Sequence, residues 1–174
     1  MTAAWDTTLV SRLYPGGALE RALLERAHEG APVAVTAPTV MEVVRGIQAT
    51  AGENPRPIGD RLATGLQWFI GLVASDLVEI LPLDRPAAIV AGRLRALHPI
   101  PPTGARRKGV KPEQRAGCVL DIQIAACAWT HGYEIVTENL HDFQTLRDLI
   151  ATLYPDASPL VVSTPAAIEP TLDE

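Results

Sequence analysis

The chain has 174 residues, 47% of them hydrophobic, which suits one domain with a substantial core and excludes a disordered chain. Its formal net charge of -5 excludes a protein that coats nucleic acid through bulk charge. No apolar run approaches the ~18 residues of a membrane helix, the N-terminus lacks a signal-peptide pattern, and two cysteines, Cys118 and Cys127, are too few for a disulfide framework; the expectation is a cytoplasmic protein with reduced thiols and no membrane attachment.

Thr2 to Trp5 forms a first strand candidate, followed by Asp6-Thr7-Thr8 and a helix-like segment from Leu9 to Tyr14 that Pro15-Gly16-Gly17 closes. Ala18 to Glu29 carries Leu19, Leu23, Leu24 and Ala27 at helical spacing and ends at Gly30. Pro32 to Thr36 predicts a second strand. Pro38 suits the first turn of a helix running from Thr39 to about Thr50, which carries Glu42, Arg45 and Gly46. A loop over Gly52 to Pro57 leads to an amphipathic helix, Asp60 to Ala74, and a third strand, Leu77 to Leu83. Asp84 is placed to cap a helix with Pro86 in its first turn. His98 to Gly117 reads as one long irregular stretch carrying Arg106, Arg107, Lys108, Lys111 and Arg115.

Asp121 is expected to open a mostly apolar helix, Ile122 to Trp129, stopped at Gly132. Tyr133 to Thr137 predicts a fourth strand, Asp142 to about Ile150 a helix, and Ser158 to Ser163 a fifth strand. The domain is expected over 1–164, with a loosely held tail over 165–174. Strands alternating with helices predict an α/β fold: a central, mostly parallel sheet of short strands covered by helices on both faces.

In such a sheet the functional crevice lies beyond the carboxyl ends of the strands. Asp6, Glu42, Asp121 and Asp142 all fall at that edge in this reading. Each has an ordinary explanation: Asp6, Asp121 and Asp142 as helix caps, Glu42 as a solvated residue paired with Arg45. Together they offer oxygen ligands without a His or Cys cluster, a set suited to a hard cation such as Mg²⁺ or Mn²⁺. His98, His131 and His141 are not spaced as ligands, although His141 adjoins Asp142. Trp5, Trp68 and Trp129 read as core residues.

Four short motifs stand in order along the chain: Asp6-Thr7-Thr8; then Thr36, Thr39, Glu42 and Gly46; then Asp121, Ile124, Ala125, Ala126 and Ala128; then Thr137, Asn139, Asp142 and Phe143. Together they resemble the four motifs of PIN-domain proteins, and more closely those of VapC-type toxins of bacterial toxin-antitoxin pairs. The resemblance covers roughly Trp5 to Ser163. It implies a PIN-like fold and a Mg²⁺-dependent endoribonuclease, Mn²⁺ being an alternative ion. Asp6, Glu42 and Asp121 would be metal ligands, and Asp142 a further catalytic acid. Thr7, Thr137 and Asn139 would orient ligand carboxylates or a ligand water. It also implies a homodimer, for which Asp60 to Ala74 is a candidate interface, and a cognate antitoxin whose C-terminal segment reaches the acidic site. Many PIN domains carry Asp where this chain has Asn139, which keeps an inactive RNA- or partner-binding module as the alternative.

The basic stretch departs from the family pattern in length and charge. Its Arg106, Arg107, Lys108, Lys111 and Arg115 either bind RNA phosphates or form a solvated insertion. Other α/β enzymes fit less well. A haloacid-type phosphatase needs a second Asp where Thr8 stands, and a dinucleotide-binding protein needs a glycine-rich turn that Thr7-Thr8-Leu9 does not provide.

Overall fold

A computed structural model of the chain describes residues 2–98 and 112–165, the last four-residue stretch before Ala116 as backbone only. Five strands form one sheet: β1 (Ala3–Trp5), β2 (Val33–Thr36), β3 (Val78–Leu81), β4 (Glu134–Val136) and β5 (Val162–Ser163). All neighbours are parallel and the spatial order is β3-β2-β1-β4-β5. The α/β architecture expected from the alternating pattern is the one the chain adopts.

Buried parallel strands need apolar side chains on both faces, and these strands supply them. Alternate residues point to opposite sides. Ala4, Ala34, Leu81 and Ile135 join one core with residues of the helices α5 (Arg85–Leu97), α6 (Pro112–Thr130) and α7 (Leu140–Leu153). Trp5, Val33, Val35, Val78 and Val136 join the other, with α1 (Thr7–Val10), α2 (Ala18–His28), α3 (Ala37–Glu53) and α4 (Ile58–Val73). Trp5 is fully buried, whereas Trp68 and Trp129 only flank their cores, the Trp129 indole donating to the Ser158 carbonyl at 2.8 Å.

The chain runs from β1 outward to β2 and β3, then returns to place β4 on the other side of β1. The strand order therefore reverses beside β1. A crevice opens at such a reversal because the connections leave in opposite directions. The residues that follow β1 and β4 flank it.

The largest departure from expectation concerns α6. It starts at Pro112, inside the stretch read as irregular, so Asp121 lies midway along a helix rather than opening one. The physical reason is local. Proline is tolerated in a first turn, and Glu, Gln, Arg and Ala, which follow, are good helix formers. Gly117 belongs to the helix, in open space. Smaller corrections concern α1, which ends at Val10 rather than Tyr14, and α3, which continues to Glu53. The third and fifth strands are shorter than the spans read for them. Arg106, Arg107, Lys108 and Lys111 lie outside the described residues, as does the tail beyond Pro165; Arg115 falls on the first turns of α6.

Candidate active site

β1 ends at Trp5 and delivers Asp6 directly to the crevice. Asp6 is extended (φ -79°, ψ 178°) and caps α1, so the capping explanation holds for this residue. Its Oδ1 accepts from the Thr8 backbone N–H at 3.0 Å, the Thr8 hydroxyl at 2.6 Å and the Leu9 N–H at 3.3 Å. Its Oδ2 accepts from the Thr137 hydroxyl at 2.6 Å. Thr137 is itself fully buried just beyond β4, and its Oγ1 accepts from the Asn139 N–H at 2.8 Å. A carboxylate 2% exposed is thus held on both oxygens, by the first turn of α1 on one and by the residue after β4 on the other. Burial outweighs these four hydrogen bonds and raises the Asp6 pKa.

Thr36 ends β2 and caps α3, accepting from the Thr39 N–H at 3.2 Å, and the two buried hydroxyls meet at 2.9 Å. That cap fixes the first turn of α3 and aims Glu42, two turns along, back toward β1. Glu42 Oε2 accepts from the Thr7 hydroxyl at 2.7 Å. Among the described residues no salt bridge joins Glu42 to Arg45, so the solvated-pair explanation does not describe it.

Asn139 caps α7 through its position but makes no side-chain cap bond. Its Nδ2 instead donates to Asp142 Oδ2 at 3.0 Å. The Asn139 side chain thereby positions the carboxylate in the next turn. His141 beside it is exposed.

Asp121 draws the four acids into one electrostatic unit. Being mid-helix, it has no capping duty. Burial raises its pKa most, and the charges of Asp142, Glu42 and Asp6 push further the same way, to about 7. Three carboxylates on three other elements therefore act on this one across the crevice. One turn before it, Cys118 lies 3.4 Å from His98 Nδ1; burial, then Asp121 and Asp142, raise the thiol's pKa.

Among the described residues no three carboxylate, imidazole or thiol groups form a ready-made ligand cage. The fit to a metal is one of donor chemistry. Four carboxylates with an unfavourable mutual repulsion suit a hard divalent cation, which neutral or soft donors would not. The ordinary partners of Glu42 and Asp142 each occupy one oxygen only.

Sequence reading named Thr7 as a group that orients a metal ligand but passed over Thr8, whose side chain holds Asp6 while Thr7 holds Glu42. The signal was present: in Asp-x-Thr at a helix start, the residue two past the cap returns its hydroxyl to the capping carboxylate. A cavity of about 840 Å³ lies elsewhere, between Ile89, Trp129, Tyr133 and Val161, and none of the four acids lines it.

No protein-family profile matches the chain, and no curated protein matches it. Solved structures do. The chain superposes on VapBC2 from Rickettsia felis, crystallised with a promoter DNA fragment, with a TM-score of 0.56 and 15% identity over 94% of this chain and 98% of that one. DNA-bound VapBC from Salmonella typhimurium gives 0.54 and 20% identity over 94% and 98%. FitAcB from Neisseria gonorrhoeae gives 0.53 and 19% over 95% and 99%. At these identities the likeness shows a common fold, shared over nearly the full length of both chains.

Proposed function

We propose that this chain is a divalent-cation-dependent endoribonuclease and the toxin of a toxin-antitoxin pair. The observation that carries the reading is the convergence of Asp6, Glu42 and Asp142 on Asp121 at the switch point of the sheet. The motif resemblance to VapC-type toxins and the fold shared with chains of VapBC complexes support the toxin role.

Asp6, Glu42 and Asp121 would hold Mg²⁺ or Mn²⁺, with Asp142 beside them as a further acid. Such an ion, when bound, activates water and stabilises charge on a phosphodiester. The chain's own residues prepare that chemistry. Thr8 and Thr137 lock Asp6, Thr7 locks Glu42, and Asn139 locks Asp142, so little ordering is left for the reacting complex. Asp121, with a pKa of about 7, can exist protonated when the cluster is uncompensated and charged when it is compensated. Asn139 serves here as a positioning residue, so its amide is no mark of a lost activity.

Arg106, Arg107, Lys108, Lys111 and Arg115 would neutralise RNA phosphates. A cognate antitoxin segment carrying an Arg would silence the enzyme by occupying the same acids. A second copy of the chain would dimerise on α4.

The test is cleavage of RNA by the purified chain with Mg²⁺ or Mn²⁺ and with chelator, beside Asp6→Asn and Asp121→Asn. Cleavage should require the ion and vanish in both variants. Cleavage that survives chelator or either substitution would overturn the assignment. Growth arrest on expression in a bacterium, relieved by Asp121→Asn, tests the toxin role separately.

A further inference from the structure

Beyond α1 the chain makes a turn that the acid site does not use. Gly17 N–H donates to the Tyr14 carbonyl at 3.0 Å, and Gly16 takes φ +78°. Proline followed by a left-handed glycine is the composition of a type II turn, and it explains why Tyr14-Pro15-Gly16-Gly17 folds so tightly. Glycine is needed at 17 for a different reason. A Cβ there would lie 3.0 Å from the Tyr14 ring and 3.1 Å from its carbonyl. The ring therefore rests on the bare backbone of Gly17, while 62% of Tyr14 stays exposed. This is the highest exposure of any large hydrophobic side chain among the described residues, in a conformation set by a rigid turn.

Tyr14 shares a cleft of about 400 Å³ with Ser11, Arg12 and Leu19, within the ~300–1,000 Å³ range of small-molecule sites. Two chains of contacts tie the cleft to the residues that hold Asp6. Ser11 donates to the Thr8 carbonyl at 3.2 Å, and Thr8 holds Asp6. Arg12 pairs with Glu138, the residue after Thr137, whose hydroxyl holds the other Asp6 oxygen. The Arg12 pair is half exposed on both sides, so it is weak and a phosphate can displace Glu138 at small cost.

We propose that Tyr14 is a stacking platform for one unpaired base of a single-stranded RNA, and that Arg12 takes the phosphate beside it. A seated aromatic face stacks any base, whereas a cation in the same cleft fixes the backbone register. A duplex keeps its bases stacked on one another and offers no free face, so the site selects single strands. An apolar peptide would leave the guanidinium unanswered. The assignment rests on the ribonuclease reading and names the residues that would seat one base and its phosphate.

The test uses the full-length chain carrying Asp121→Asn, to prevent cleavage, and a fluorescein-labelled ten-nucleotide RNA, single-stranded or annealed to its complement, read by anisotropy. Single strands should bind more tightly than the duplex. Adding Tyr14→Ala should weaken single-strand binding about five- to one-hundred-fold and remove the preference, while Tyr14→Phe, which keeps the ring, should restore it. Arg12→Ala should weaken both forms and lower the salt dependence. In the otherwise unaltered chain, Tyr14→Ala should raise KM. Binding that ignores Tyr14→Ala, in a chain that cleaves RNA, would overturn the platform and leave the ribonuclease standing. Tyr14-dependent binding without cleavage by the unaltered chain would sustain the platform and sink the ribonuclease. Absence of both binding and cleavage would overturn both.

Discussion

Asp6 is buried and Asp121 partly buried, and they are stabilised differently. Asp6 gains four hydrogen bonds, whereas Asp121 meets burial and three like charges. The linkage sign follows. Asp121 has a folded-state pKa of about 7 against an ordinary 3.8, so between those values the folded chain binds more protons than the unfolded one. Its contribution to stability is present below pH 4 and is lost as pH rises through 7. In cation-free buffer, Asp121→Asn should therefore be more stable than the unaltered chain at pH 8, by roughly 1–3 kcal/mol, and the two should converge near pH 4. Urea unfolding at the two pH values checks this; equal stability at pH 8 would contradict it. Thr137→Val should cost about 1–3 kcal/mol, because it removes one hydrogen bond from a buried carboxylate and another from the Asn139 N–H. Calorimetry on that variant measures the loss. Motif spacing singled out the four acids whose charges meet at Asp121. The partner of each was not legible, since Thr7 and Thr8 are adjacent alike in the sequence and only the turn of α1 sends one to Glu42 and the other to Asp6.

At the scale of elements, α6 carries the main lesson. Pro112 and Gly117 are strong breaker signals, and together with the basic residues before them they made the segment read as loop. Position decided otherwise: a proline in a first turn costs little, and one interior glycine is tolerated when the residues around it favour helix. Gly117→Ala gives a direct check. In helix, with open space at the Cβ position, it should stabilise the chain by about 0.5–1 kcal/mol; a neutral or destabilising result would argue against helix at this position. The cap on α5, by contrast, was legible: Asp84 accepts from the Ala87 N–H at 3.0 Å, and a small polar residue followed closely by proline has few other uses. The cap on α3 was not, because Thr36 also ends β2 and reads as strand.

For the whole molecule, alternating strands and helices made the parallel sheet legible, but not its order. Strand adjacency depends on which face each crossover takes, and short strands such as Glu134–Val136 carry too little pattern to specify neighbours. The return of the chain to β1 is what joins the two halves of the crevice, because it sets Thr137 against Asp6 and Asn139 against Thr137. Asp121 together with Asp142, Glu42 and Asp6 makes the crevice an acidic focus in a chain of net charge -5, a place where field lines concentrate and a counter-cation would be favoured. Mg²⁺ should accordingly raise Tm at pH 8 in the unaltered chain and do so far less in Asp121→Asn, which a thermal-shift series in Mg²⁺ would show.

The most direct measurement is the titration of the Asp121 side-chain carboxyl by ¹³C NMR, with and without Mg²⁺. A cluster that acts as one cation site predicts a midpoint near the value of about 7 in cation-free solution, moving well down when Mg²⁺ is added. A carboxyl that titrates in the ordinary aspartate range in both conditions, unmoved by the ion, would contradict the account.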